Sequence, residues 1–274
     1  MRLLHKTVFF FASLTCLSVM LLQAYPMIWL IILWDRACGV SPALHRERMS
    51  RLAMRYSGRI IRLFGLLMSC RIEFRLPERL RTRGPAVVIV NHRSTFDILL
   101  TLAALGRMGY TKARFVAKRE AADVPVIGLA AQEMGCAFIS RRGDLADLEA
   151  IRECAVGALQ DDACMVIFPE GTTFHNPAFV SKRAGEYRHL LPPRASGLKA
   201  VLAVLTDRPT LSVTLDWGDI VGADTARGMA PLYGKALIVD GEFVAGPVGE
   251  SVEQWLNQEW KRKDEKIERM HRGA

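Results

Sequence analysis

From Thr7 to Trp34 the chain runs 28 residues without a charge. As a helix this run is about 42 Å long, and it exceeds the ~20 residues a bilayer span requires. It predicts a membrane anchor rather than a cleaved leader, whose apolar region is shorter and ends at a small-residue cleavage site. Pro26 leaves two forms open: one tilted, kinked span, or a helical hairpin that dips into the bilayer and returns. Arg residues flank both ends, so charge does not choose between them.

Residues 44 to 66 change to a helical period. At 100° per residue Arg48, Arg51, Arg55, Arg59 and Arg62 fall within an arc of roughly 80°, opposite Ala53, Met54, Ile60, Ile61 and Phe64. This is the pattern of an amphipathic helix. Directly after an anchor, its arginine stripe is expected to meet anionic lipid headgroups, and a solvated face of an ordinary packed helix is the alternative.

Beyond residue 70 short β-rich runs alternate with helical ones. Strands are expected over 70–75, 86–90, 113–117, 137–140, 165–168, 210–215 and 236–243, with helical patterns at 95–106, 124–134, 144–160 and 194–206. Such alternation predicts an α/β fold: a mixed, largely parallel sheet flanked by helices, preceded by the transmembrane or re-entrant anchor and the amphipathic helix. The tail from Val252 to Arg272 reads as a final helix, packed on the domain or lying on the membrane. The expected organisation is an anchor over 1–40, a basic helix over 41–69, an α/β domain over 70–250 and a C-terminal helix over 251–274. No repeat or low-complexity linker interrupts it, and residues 173–194 are the one long irregular stretch, of a length that argues for a function.

The net charge of +9 is unevenly placed. Residues 1–85 hold fourteen Lys/Arg against four Asp/Glu, whereas the remainder is close to neutral. Basicity that flanks an apolar segment points to a membrane surface and away from nucleic acid. The six cysteines form no C-x-x-C pair and have no histidines at metal-ligand spacing, so neither a metal nor a disulfide framework is expected. Ordinary apolar packing on a reducing, cytosolic face accounts for them.

The candidate chemistry begins where the buried run Ala86–Val90 ends, at Asn91-His92-Arg93-Ser94-Thr95-Phe96-Asp97. Thr95 is placed to cap the helix that follows, which puts Asp97 in its first turn, where negative charge is favourable. A carboxylate five residues after a histidine can turn back to hold one ring nitrogen and leave the other to take a proton, the geometry of a general base with its orienter. Ser94 reads as a turn or capping residue. Further on come Gly135-Cys136-Ala137-Phe138-Ile139-Ser140-Arg141 and Phe168-Pro169-Glu170-Gly171-Thr172.

In order and separation these blocks resemble the N-H-x4-D, G-x-x-F-I-x-R and F-P-E-G-T blocks of the glycerolipid, or 1-acylglycerol-3-phosphate, acyltransferase family. With Lys118-Arg119-Glu120 and Pro125-Val126-Ile127-Gly128 the resemblance covers roughly residues 85–215. It implies acyl transfer from a thioester, acyl-CoA or acyl carrier protein, to the free hydroxyl of a lysophospholipid, with phosphatidic acid as product when the acceptor is 1-acylglycerol 3-phosphate. It also implies an inner-membrane protein with its catalytic domain on the cytoplasmic side, membrane lipids as surroundings and no further cofactor. His92 and Asp97 would be catalytic, while Arg141 with Glu170, Gly171 and Thr172 would bind the acceptor's headgroup and glycerol. A guanidinium can hold a phosphate as a fork, and Pro169 and Gly171 make a tight turn expected to present the Glu170 carboxylate rather than pack it. With the acceptor hydroxyl as nucleophile no acyl-enzyme is needed, and no G-x-S-x-G elbow is present. Another lysophospholipid or lipid acceptor is the alternative within the class, and a thioesterase or lipid hydrolase using the same base on water is the alternative from another class.

One departure bears on the acceptor. The family's third block commonly continues with Arg, and this chain has Thr173. Lys182, Arg183, Arg188, Arg194 or Lys199 could replace that contact, and Pro193-Arg194-Ala195-Ser196-Gly197 resembles the P-R-x-x-G stretch of the branch that includes lysophosphatidylinositol and lysocardiolipin acyltransferases. For the acyl chain, residues 118–128 and the N-terminal helix are the expected walls.

Overall fold

A computed structural model of the chain describes residues 2–77, 84–94, 96–140, 144–172, 187–218 and 233–272. The anchor is one continuous helix with no hairpin: α1 (Arg2–Val19) passes through a π turn (Met20–Ala24) into α2 (Tyr25–Ala37). Pro26, in the first turn of α2, supplies no N–H and would crowd the carbonyl of a regular α turn before it. The wider π turn, in which Tyr25 N donates to Met20 O, accommodates it. Ala12, Cys16, Ala24, Ile28 and Ile32 form its buried stripe.

That stripe packs on α3 (Pro42–Leu67), which starts at Ser41 and Pro42 and runs antiparallel to the anchor. Phe9 meets Phe64 edge-on at one end, with 6.4 Å between ring centroids, and Cys16 faces the Ile60 carbonyl. At the other end Asp35 receives His45 Nδ1 (2.8 Å) and Arg48, while His45 Nε2 reaches Glu133 (2.9 Å). Met54, Ile60, Ile61 and Phe64 are buried as expected, and Arg51, Arg55, Arg59 and Arg62 are exposed.

Among the described residues the sheet has seven strands in the order β1-β7-β6-β2-β5-β3-β4, formed by β1 (Arg71–Arg75), β2 (Val87–Val90), β3 (Ala113–Lys118), β4 (Ala137–Ile139), β5 (Cys164–Ile167), β6 (Thr210–Asp216) and β7 (Ala236–Val244). Strands β2 to β6 are mutually parallel. β7 runs antiparallel to β6, and β1 lies parallel to β7 at the edge. β2 and β5 are buried at every position, as parallel strands covered on both faces must be, which is why they read as unbroken apolar runs. One face is covered by the anchor, α3, α4 (Asp97–Arg107) and α5 (Ile127–Glu133). The other is covered by α6 (Leu145–Gln160), α7 (Ala195–Leu202) and α8 (Val252–Arg272). Thus the C-terminal helix packs on the domain: Trp260 and Ile267 are fully buried.

Candidate active site

The carboxyl ends of the neighbouring strands β2, β5 and β6 build the site, as expected for a mainly parallel α/β sheet. Beyond Val90 the Asn91 side chain replaces a rung of the ladder, donating to Leu215 O (2.9 Å) and accepting from Leu215 N (2.8 Å). The chain then leaves the sheet and His92 emerges half-buried.

Asp97 begins α4 and is wholly buried. Its Oδ2 faces His92 Nδ1 (3.0 Å) and accepts the backbone N–H groups of Arg93 (2.6 Å) and Ser94 (2.8 Å), while Oδ1 accepts Trp217 Nε1 (2.9 Å). A carboxylate ringed by N–H groups acts as acceptor, so the imidazole proton belongs on Nδ1 and Nε2 carries the lone pair. The His92 ring is held over Phe168, 4.5 Å between centroids. Ser94 Oγ accepts Phe96 N (3.2 Å), a turn role as expected. The expected cap, Thr95, lies outside the described residues, and α4 has Phe96 at its N-cap without a side-chain bond.

The turn after β5 is closed by Gly171 N donating to Phe168 O (3.0 Å), with Gly171 at φ +67°. Here one expectation is corrected. The Glu170 carboxylate is packed, not presented: it is 0% exposed and accepts Trp260 Nε1 (3.3 Å) and the His92 backbone N–H. Burial pushes its carboxyl up to about 8, against the opposing effects of the His92 N–H, the Arg93 charge and the Trp260 indole. Thr172 is also buried, whereas Gly171 is exposed.

Arg141 lies outside the described residues, as do His175, Lys182 and Arg183. β4, which leads to Arg141, is the third strand from β2. Of the other basic residues, Arg188 is engaged by Glu268 (3.0 Å) and Lys199 by Glu253. Arg194 comes to the turn itself. Its N–H donates to Pro169 O (2.8 Å), and its Cδ lies 3.9 Å from where a Cβ on Gly171 would stand.

Four further residues at the site had no expectation attached to them. Arg93 is buried, its guanidinium bonded to His189 O (2.7 Å) and within electrostatic reach of the carboxyl groups of Glu170, Asp216 and Asp97. Trp217 holds Asp97, and Trp260 and Lys263 reach in from α8. The tryptophan directly after an apolar strand was the one available signal, since tryptophan N–H groups are bonded when buried. Nothing in the charged run around Lys263 marked it out.

Beside the site, Met20, Ala24 and Ile28 of the anchor, Ile98 and Leu102 of α4, and Val126, Ile127 and Ala130 line an apolar cavity. These include both of the expected walls. The cavity's edge is shaped by a strained turn: Val126 has φ +67° and ψ −56°, with Ile127 N donating to Pro125 O (2.7 Å). A Cβ on Gly128 would lie 2.1 Å from Ala122 O, so only glycine lets α5 start there.

Fold and site together define an α/β enzyme with a mixed, mostly parallel sheet and a His/Asp pair at the strand ends. Residues 71–215 match the family model described as Acyltransferase, and the chain belongs to that family. It is 26% identical over 153 residues to the lysophospholipid acyltransferase LPEAT1 of Arabidopsis thaliana, covering 54% of this chain and 34% of the relative. With human 1-acyl-sn-glycerol-3-phosphate acyltransferase alpha it shares 32% over 123 residues, 44% of this chain and 41% of the relative. The chain therefore spans less than half the length of these relatives. The crystal structure of the 1-acyl-sn-glycerophosphate acyltransferase PlsC from Thermotoga maritima shares the fold, with a TM-score of 0.63 at 18% identity over 98% of both chains.

Proposed function

We propose that this protein transfers a fatty acyl group from an acyl thioester to the free hydroxyl of a lysophospholipid, with 1-acylglycerol 3-phosphate as the acceptor. The observation that carries the reading is the saturated hydrogen bonding of Asp97, which commits His92 Nδ1 and leaves Nε2 as the base. In the reaction His92 Nε2 takes the hydroxyl proton as the acceptor oxygen attacks the thioester carbonyl. Asp97 stabilises the imidazolium that forms. The tetrahedral intermediate then collapses, the C–S bond breaks, and the imidazolium returns the proton to the leaving thiolate. Arg194 above Gly171, with Arg141, grips the anionic headgroup, and the apolar cavity takes the acyl chain. Glu170 shapes the site from beneath, through the His92 backbone, rather than by touching the acceptor.

The same reading places the enzyme on a membrane. The stretch Thr7–Ala37 is long and apolar enough to cross one, and most of its residues lie outside the buried core. Phe10, Phe11, Leu22, Leu33 and Trp34 face outward. Arg51, Arg55, Arg59 and Arg62 stand exposed on α3, facing anionic headgroups at the cytoplasmic surface. Neutralising them weakens binding to anionic vesicles; unchanged binding would remove this part of the proposal.

The deciding experiment uses detergent-solubilised protein, labelled acyl-CoA and acyl carrier protein donors, and a panel of lysophospholipids, with His92→Ala alongside. Transfer to 1-acylglycerol 3-phosphate that falls about 10²–10⁴-fold in the variant is expected. Release of free fatty acid without an acceptor would identify a thioesterase, and activity indifferent to His92 would overturn the mechanism.

A further inference from the structure

The buried face of α8 follows a helical stripe, Leu256, Trp260, Lys263 and Ile267, and its third member is a lysine. Lys263 is 2% exposed. Its ammonium donates to Val213 O (2.5 Å) and Ile89 O (3.2 Å) and lies 5.0 Å from the centre of the Trp260 ring. Ile89 precedes His92 by three residues on β2. Val213 precedes Trp217 by four on β6. One side chain thus ties together the two adjacent strands whose ends carry the base and the indole that holds its orienter. One turn earlier on the same helix, Trp260 donates to Glu170, and Glu170 accepts the His92 N–H.

Packing alone does not account for this lysine. Taking an ammonium out of water is costly, and an apolar side chain of similar length would fill the position at less cost. Burial pulls its proton affinity down to about 7, and Glu259 first and then Glu170, when ionised, act in the other direction. A group so placed is expected where strand ends must be held in one arrangement.

We infer that α8, which lies outside the stretch matching the family, is a working part of the active site, with Trp260 and Lys263 as positioning residues that hold Glu170 and bridge β2 to β6 ahead of the ends that carry His92 and Trp217. The inference rests on the acyl-transfer reading above. Neither residue touches the reacting atoms; both act through His92.

The test compares Lys263→Met and Trp260→Phe with wild type and His92→Ala in the full-length protein, measuring kcat, KM for acyl-CoA and lysophosphatidate, and thermal unfolding. Lys263→Met keeps length and packing and removes the donor; Trp260→Phe keeps a ring and removes the N–H. The expected result is kcat reduced at least tenfold in the first and threefold in the second. KM for both substrates stays within threefold, and the unfolding midpoint is unchanged or raised for Lys263→Met and lowered by a few degrees for Trp260→Phe, with both variants folded at the assay temperature. Smaller losses of kcat, or losses matched by higher KM or by less folded protein, would overturn the inference. Should Lys263→Met fail to fold, Trp260→Phe decides by the same criteria. Absence of turnover in wild type would instead overturn the underlying reading, so the two failures are distinct.

Discussion

The Trp217 indole donates to Asp97 Oδ1 at 2.9 Å across 120 residues of sequence. That bond leaves Oδ2 to His92 and the two backbone N–H groups. A hydrogen bond to a charged group is worth about 1.5–3 kcal/mol. Trp217→Phe, which keeps the packing against Phe96, is therefore expected to lower kcat about 10–100-fold with little change in KM. Steady-state kinetics check it, and a kcat within twofold of wild type would contradict the role given to the indole.

Arg194 lies against the Gly171 turn, its Cδ 3.9 Å from where a Cβ on Gly171 would stand, and the proposed function has it grip the acceptor phosphate there. Arg194→Ala should raise KM for lysophosphatidate about tenfold, the worth of one charge-assisted contact, and leave KM for acyl-CoA as it is. Equal effects on both substrates would show that this arginine does not read the acceptor.

Glu170 makes stability depend on pH. Its folded-state affinity for a proton, raised to about 8 by burial, exceeds the ordinary 4.5 of the unfolded chain. Between those values the folded protein keeps a proton that the unfolded one has released, so wild-type stability declines as pH rises through that window. Glu170→Gln lacks this dependence. Its unfolding midpoint relative to wild type should climb between about pH 4.5 and 8, by a few degrees or more, and level off above. A difference that stays flat across the window would mean that the carboxyl ionises normally.

The cavity beside α5 should set acyl chain length. Ala130→Phe would fill part of it, and competition among acyl-CoA donors should then show the preferred chain shortened by about two carbons or more, at roughly 0.8 kcal/mol per methylene no longer buried. An unchanged preference would place the chain elsewhere.

Much of this architecture was legible locally. All seven strands lie at the expected runs, because buried parallel strands leave dense apolar clusters, and helices α4 to α8 lie at the expected helical patterns, α4 running one residue beyond its own. His92 and Asp97 were legible because they are five residues apart and one turn joins them. The antiparallel insertion of β7 between β6 and β1 was not, since strand direction is set by connections rather than by any residue pattern. Trp217, Trp260 and Lys263 reach partners 120, 90 and 174 residues away, and no spacing in the sequence records such contacts. Glu170 was misjudged for a related reason. Pro169 and Gly171 do make the tight turn, but α8 covers it, and a carboxyl beneath a helix turns inward to its donors.

The π turn at Met20–Ala24 gives the anchor a phase as well as a length. A stripe repeating every four residues drifts around a regular α-helix by about 40° per step, and the wider turn takes back part of that drift, so that Cys16 and Ala24 both face inward. Counting residues in this segment is therefore not neutral. Removing one between Val19 and Tyr25 would let a regular α turn replace the π turn and leave the two halves nearly in phase, whereas removing one from a regular turn of α1 or α2 would rotate everything before it by about 100°. Phe10 and Phe11 would then face different surroundings while the hydrophobic thickness stayed nearly the same.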